Sequence, residues 1–387
     1  MVYITVPQSP AFQQMTLEEF LSDQDFSCLP ITNDPSATHT YVRDYVTPTI
    51  LERSGIMVPV LIAQLRAFNA GTEPLRQVPR KELYHSYKIP KRSGHGMRPI
   101  DEPLPALMEA LRTLKLIFET SFRASHHTAG FAYVAKRSTK DALVKHQQNE
   151  SRWFAKFDLH NFFGSTTMDW TLHMLSMIFP FNLVMQNREG YDELKKALDL
   201  CFLNGGLPQG TPISPMLTNL LMIPVDHALY NRLRQSCAEH PHLIYTRYAD
   251  DFIISARKGF DYKWVENEIT FVLRCFGAPF QLNEEKTRYG SNFGSGANWN
   301  LGIMLNKDNQ LTVGWKNKER FRAMLWSYAE DHKKGLIWDV GEVRHLYGNY
   351  NYYSMIEKEA IAAIVQKMNE KTGVDILSLM KQDMRAA

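Results

Sequence analysis

Apolar positions along the chain recur with two periods, three-to-four and two, and these sort it into helices and short strands. Leu107, Leu111, Leu114 and Phe118 fall at spacings of four and three, which predicts a helix from Pro105 to Arg123 with one apolar face. Asp141 to Gln148, Met168 to Ile178 and Trp264 to Phe276 read as helices on the same grounds. Ser214-Pro215 predicts another start, Ser as cap and Pro in the first turn, running to about Leu229. Pro48 to Phe68 reads as a helix interrupted near Gly55 and Pro59, and Thr16 ahead of Glu18 and Glu19 predicts a short helix with an acidic first turn. Strand-like runs are fewer: Leu83 to Ile89, Trp153 to Phe157, Leu243 to Arg247 and Phe252 to Ala256. The last eighty or so residues are helical by pattern, with Lys and Arg clustered between Lys316 and Arg322.

At 387 residues, 44% hydrophobic and 22% charged, the chain has ordinary globular composition and excludes general disorder. No apolar run approaches the ~18 residues of a membrane helix, and the first residues lack a secretion signal. Cys28, Cys201, Cys237 and Cys275 form no CxxC pair, so they read as reduced thiols of a cytoplasmic protein. The net charge of +3 hides an asymmetry. Residues 1–75 carry three basic residues against eight acidic ones, leaving +8 for residues 76–387. The densest basic stretch, Arg76 to Arg98, holds seven cations and one Glu with Tyr84 and Tyr87 among them, a mixture suited to a polyanion with stackable bases.

The most informative feature is Tyr248-Ala-Asp-Asp251 between two apolar strands. Adjacent carboxylates beside a core disfavour joint ionisation unless a cation neutralises them, and hard oxygen ligands suit Mg²⁺. Asp158, at the end of another apolar strand, would converge on the same point if that strand lies beside the hairpin.

Five strings occur in a fixed order: Phe157-Asp158-Leu-His-Asn-Phe-Phe163, Gly206-Leu-Pro-Gln-Gly-Thr-Pro-Ile-Ser-Pro215, Tyr248-Ala-Asp-Asp251, Asn283-Glu-Glu-Lys-Thr287 and Asn300-Leu-Gly302. Together they resemble the palm motifs of a reverse transcriptase. Upstream, Tyr87-Lys-Ile-Pro-Lys-Arg with Arg98, and His127-Thr-Ala-Gly-Phe131 with Lys136-Arg-Ser138, resemble the fingers of bacterial retron-like and group II intron-like enzymes. The resemblance spans residues 84–302 and implies an α+β fold, that of a right-hand polymerase. Residues 1–75 would be an acidic extension, 76–302 the fingers and an antiparallel-sheet palm, and 303–387 a helical thumb.

It also implies roles. Asp158 and Asp250 would hold two Mg²⁺ ions, with Mn²⁺ as a substitute and Asp251 as accessory ligand. Lys286 would protonate the leaving pyrophosphate. Phe163 would screen the sugar in favour of dNTPs, and Gln209 and Gly210 would support nucleotide and template. Arg98 and Lys91 would contact the triphosphate, and Leu301 and Gly302 would grip the primer end. The implied partners are an RNA template, its DNA product and dNTPs, with a dedicated non-coding RNA, a partner protein and a role in antiphage defence as extensions.

Two departures narrow the group. Asp141-Ala-Leu-Val-Lys-His146 has Asp for Asn and one residue more than the retron pattern, and 85 residues after Gly302 suffice for a thumb and little more. The resemblance therefore points to a stand-alone enzyme. Untemplated or protein-primed DNA synthesis, and a nucleic-acid-binding assembly subunit with a vestigial palm, are the alternatives the motifs leave open.

Overall fold

The computed structural model describes residues 3–8, 11–16, 48–90, 96–121, 126–235, 241–292 and 302–386. In chain order, β1 (Tyr3–Gln8) and β2 (Ala11–Thr16) form an antiparallel hairpin. Thr16 therefore ends a strand, and the helix expected after it lies outside the described residues. Helix α1 (Pro48–Gly71) is continuous, although two interruptions were expected. Pro59 lacks the N–H that would bond the Gly55 carbonyl four residues back, so both supposed breakers fall on one missing bond.

Strands β3 (Tyr84–Pro90) and β4 (Met97–Pro103) pair antiparallel, with Ile89 opposite Arg98. Helix α2 (Pro105–Ser121) buries Leu107, Leu111, Leu114 and Phe118, the face its spacing predicts. Helix α3 (Thr139–Gln148) opens on a capping box in which the Ser138 hydroxyl accepts from the Asp141 N–H and the Asp141 carboxylate accepts from the Ser138 N–H. Strand β5 (Trp153–Asp158), the one-turn helix α4 (Phe162–Ser165), α5 (Met168–Leu175) and α6 (Arg188–Asp199) follow.

Helix α7 (Ser214–Leu221) corrects the expected cap. Ser214 is its first helical residue, and Thr211 Oγ1 accepts from the Ser214 N–H at 3.2 Å. The helix also stops at Leu221, and α8 (Ile223–Gln235) begins anew, because Pro224 has no N–H for the Leu220 carbonyl. The remaining elements are β6 (Ile244–Tyr248), β7 (Asp251–Ala256), α9 (Tyr262–Cys275), β8 (Arg288–Ser291), the short pair β9 (Met304–Leu305) and β10 (Leu311–Thr312), and helices α10 (Trp315–Lys333), α11 (Val340–Ile356), α12 (Lys358–Thr372) and α13 (Ile376–Ala386).

The chain divides into two compact units. The first comprises residues 1–137, 156–252 and 261–288, and the second residues 138–155, 253–260 and 289–387. In the second, Leu143, Phe154, Ile253, Ile303, Leu305, Val313 and Ile356 make one core, and helices α10 to α13 make another around Phe321, Leu325, Leu346, Ile361 and Ile376. The principal sheet has the order β6–β7–β5–β8. The hydrogen bonds Leu159 N–H to Asp250 carbonyl and Arg152 N–H to Ala256 carbonyl set β5 antiparallel to β7. All six residues of β7 are buried. The strand ends bearing Asp158, Asp250 and Asp251 belong to the first unit.

The cysteines correct a further expectation. Cys201 is a free, buried thiol, but Cys275 is disulfide-bonded, so not every thiol is reduced. Spacing along the chain says little about distance in the fold. Among the described residues, no helix is long and apolar enough to cross a membrane.

Candidate active site

The chemistry gathers where β5 ends and the β6–β7 hairpin turns. Only two residues, Ala249 and Asp250, separate the strands, and Ala249 takes a left-handed φ of 56°. That φ favours glycine and marks a backbone held by its surroundings. The N–H following Asp158 bonds the Asp250 carbonyl at 3.2 Å, so the two aspartates sit on neighbouring backbone. The strand carrying Asp158 thus lies beside the hairpin, the condition on which their convergence was expected.

The charges around them are arranged unequally. Lys286, in the turn Glu284–Lys286, donates to Asp158 Oδ1 at 2.7 Å. Lys156, on β5, donates to Asp251 Oδ2 at 2.7 Å. Asp250 has neither lysine on it. Burial, then the negative charges of Asp251 and Asp158, push its carboxyl up to about 6. Burial also raises Asp251, with Lys156 pulling the other way. The half-buried Asp250 is therefore the carboxylate whose charge is least compensated.

Lys156 was not singled out from the sequence. Its signal is its position two residues before Asp158, because alternate residues of a strand share a face. Tyr133 was also missed. It is 49% exposed, holds a left-handed φ of 56°, and its hydroxyl is shifted upward by desolvation, Tyr248 and Asp250 and downward by Arg98. Arg98 is an exposed residue of β4.

The expected nucleotide-binding loop is tied to α4 and β4. Phe162 is 3% exposed and packs on Phe280 at 5.0 Å, whereas Phe163 is only partly buried. The Phe163 carbonyl accepts from the Leu207 N–H at 3.0 Å, which joins α4 to the loop carrying Gln209 and Gly210. Gly206 is required at that junction, because a Cβ there would stand 2.0 Å from the Gly164 carbonyl oxygen. The Gln209 carbonyl accepts from the Asp101 N–H at 2.7 Å, tying the same loop to β4. Gly210 has φ of 117°, and a Cβ there would lie 2.8 Å from the Asp101 carbonyl oxygen.

Lys91 and Leu301 fall outside the described residues. Gly302 is described, with a left-handed φ of 96°. Within the basic stretch, Arg76 and Arg80 both turn to Asp199, at 3.7 and 2.8 Å, instead of facing a polyanion. On α10, Lys318 pairs with Glu357 at 2.9 Å and Arg322 with Glu319, while Lys316 and Arg320 are exposed.

A divalent ion suits the donors present. Among the described residues no three His, Cys, Asp or Glu side chains close into a ready-made cage. Mg²⁺ typically takes one or two carboxylates and completes its shell with water and phosphate oxygens, and the undercompensated Asp250 beside Asp158 supplies such a pair.

The comparisons agree with this geometry. The family described as reverse transcriptase (RNA-dependent DNA polymerase) matches residues 89–320. The Retron Ec73 reverse transcriptase of Escherichia coli is 27% identical over 260 residues, 64% of this chain and 78% of that protein. The Retron Mx65 reverse transcriptase of Myxococcus xanthus is 28% identical over 305 residues, 75% of this chain and 65% of that one. The Retron Mx162 reverse transcriptase of the same organism is 32% identical over 193 residues, 47% of this chain and 38% of its own length. The match to retron enzymes holds despite the altered Asp141-to-His146 string.

Proposed function

The chain belongs to the reverse transcriptase (RNA-dependent DNA polymerase) family, and from that premise we propose that it copies an RNA template into DNA at the Asp158–Asp250 pair. The observation that supports this most is the backbone bond joining the residue after Asp158 to Asp250, which brings the backbone of two aspartates from distant parts of the chain together. Asp158 and Asp250 would hold Mg²⁺, or Mn²⁺ in its place, with Asp251 as accessory ligand. A pair of such ions, when bound, lowers the pKa of a primer hydroxyl and offsets charge on the departing pyrophosphate.

The chain's own residues do the rest. Lys286 holds a proton beside Asp158, where it can pass to the leaving group. The Phe163 ring screens the sugar 2′ position against NTPs. Gln209 and Gly210 carry nucleotide and template on a loop fastened to both α4 and β4. Arg98 and Lys91 meet the triphosphate, Arg as a planar fork and Lys as a point charge. Residues 76–302 serve as fingers and palm and 303–387 as thumb, with residues 1–75 as an added acidic segment. We place the protein in the cytoplasm with its dNTPs, on a dedicated non-coding RNA, working with a partner protein in antiphage defence.

Primer extension on a defined RNA template with labelled dNTPs and Mg²⁺ tests the reaction. The wild type is expected to extend and Asp250→Asn to be inactive while still folded and RNA-bound, since Asn keeps the shape and loses the charge. Extension by Asp250→Asn at the wild-type rate would remove the hairpin from the reaction. Sequencing co-purified RNA tests the template, and plaque counts on cells with and without the Asp250→Asn chain test the biological role.

A further inference from the structure

Arg247 is 1% exposed, in the middle of the core, one residue before Tyr248-Ala-Asp-Asp251. A buried guanidinium needs both a counter-charge and partners for its N–H groups. Asp226, on α8 and also 1% exposed, provides the first in a two-pronged pair: Nε donates to Oδ1 and Nη2 to Oδ2, each at 2.7 Å. Asn219 Oδ1, on α7, accepts from Nη2 at 3.0 Å, and the Tyr245 hydroxyl donates to Asp226 Oδ1 at 2.7 Å. The remaining arm is the informative one. Nη1 donates to the carbonyl of Ala249 at 2.9 Å.

Ala249 is the residue held at φ of 56°, and its carbonyl belongs to the peptide that leads into Asp250. The same arginine's backbone is fixed as well: its N–H bonds the Ala129 carbonyl at 2.7 Å, and its carbonyl accepts from the Phe131 N–H at 2.9 Å. Gly130 lies so close that a Cβ there would stand 3.5 Å from Asp226 Oδ2 and 3.6 Å from Arg247 Nη2. One side chain therefore ties two helices and the strained turn together, and its backbone adds the segment leading to Tyr133.

We propose that Arg247 is a positioning residue for catalysis, with Asp226 as the strut that aims it: the fork holds the Ala249 peptide in its left-handed turn and so places the Asp250 carboxylate toward Asp158. The inference rests on the metal-site reading of Asp250. Lysine at 247 keeps the positive charge near Asp226 but has no planar fork, so it cannot hold the carboxylate with two parallel bonds and reach the Ala249 carbonyl as well. The turn would then relax, and a shift of about 1 Å in a reacting group costs roughly 100-fold in rate.

The test compares Arg247→Lys, the double variant Arg247→Gln/Asp226→Asn and Asp250→Asn with the wild type. The double variant removes both buried charges together and leaves polar partners in place. Three readouts are taken on protein shown to be folded by circular dichroism and thermal melting. They are kcat and KM for dNTP in primer extension, the Mg²⁺ midpoint of that reaction, and Mn²⁺ affinity without nucleotide, followed by the resonance of free Mn²⁺. The expected result for Arg247→Lys and the double variant is kcat lower by about 10- to 100-fold, KM for dNTP unchanged, and both Mg²⁺ and Mn²⁺ binding weakened several-fold. Wild-type kcat and metal affinity per folded molecule would overturn the inference. So would failure of both Arg247 variants to fold, since the network would then be a folding element alone. If Asp250→Asn keeps activity, the metal-site reading itself fails. If Asp250→Asn is inactive and Arg247→Lys is normal, only the positioning role falls.

Discussion

Phe162 and Phe163 are adjacent identical residues with different surroundings. Phe162 packs against Phe280, and Phe163 stays partly exposed. A ring already in the core would have little freedom to act on a ligand, so of the two rings Phe163 is the one free to carry the proposed sugar screen. Phe163→Ala is expected to raise the ratio of rATP to dATP incorporation by about 10- to 100-fold, because the ring acts by exclusion. An unchanged ratio on a defined template would make Phe163 packing only. Gly206 makes a harder demand. An added methyl meets the Gly164 carbonyl at 2.0 Å, well inside contact, and neither backbone can retreat without moving α4 or the loop. Gly206→Ala is expected to lower the unfolding free energy by about 1–3 kcal/mol in urea titration, and to reduce dNTP incorporation with it, since Gln209 rides on the same loop.

At the scale of elements, α3 shows a different use of a polar residue. His146, at its C-terminal end, is fully buried, with Nδ1 2.5 Å from Ser255 Oγ, which in turn donates to Ser151 Oγ at 2.7 Å. Burial holds the imidazole neutral and pushes its pKa down to about 3. Between pH 3 and about 6.5 the unfolded chain therefore binds a proton that the folded one refuses. Stability from this group is complete above about 6.5 and is lost as pH falls, at about 1.4 kcal/mol per pH unit within that window. Urea midpoints at pH 7, 6 and 5 are expected to fall accordingly, and more shallowly in His146→Gln. Parallel pH dependences in the two proteins would show that His146 is protonated in the fold. The string Asp141 to His146 departs from the retron pattern, yet both of its ends have structural work, Asp141 in the capping box and His146 in this network.

At the scale of the whole molecule, the compact units do not respect the linear boundary near residue 302. Leu143, Phe154 and Ile253 precede it but share a core with Ile303, Leu305, Val313 and Ile356, which follow it. A fragment ending at residue 302 would expose that core, so it is expected to be insoluble or to melt well below the full chain, whatever the state of its carboxylates. A soluble fragment with the melting temperature of the full protein would contradict this. The four cations of the first two turns of α10, Lys316 to Arg322, are likewise reduced by the fold to two, because Lys318 and Arg322 are paired internally. Lys316→Gln/Arg320→Gln is expected to flatten the salt dependence of single-strand binding by about 1.4 in log–log slope, at roughly 0.7 per phosphate contact. Lys318→Gln and Arg322→Gln should leave that slope unchanged. Equal slopes in all variants would mean that α10 does not touch the backbone of the nucleic acid.

Local chemistry was readable from the chain itself. The spacing of Leu107, Leu111, Leu114 and Phe118 specified a buried helix face, and Asp158, Asp250 and Asp251 stood out because paired carboxylates beside apolar strands need a reason to be there. These are properties of residue type and period, which the sequence states directly. What only the tertiary structure decided was which charges meet. That Lys156 answers Asp251 and Lys286 answers Asp158, that Arg76 and Arg80 turn to Asp199, and that Arg247 is buried against Asp226, all depend on charge pairs between residues 21 to 128 positions apart along the chain. A charge carries no mark of its partner along the chain. Coulomb attraction and desolvation act through space, so the pairing is settled only once the sheet and its helices have brought the groups together.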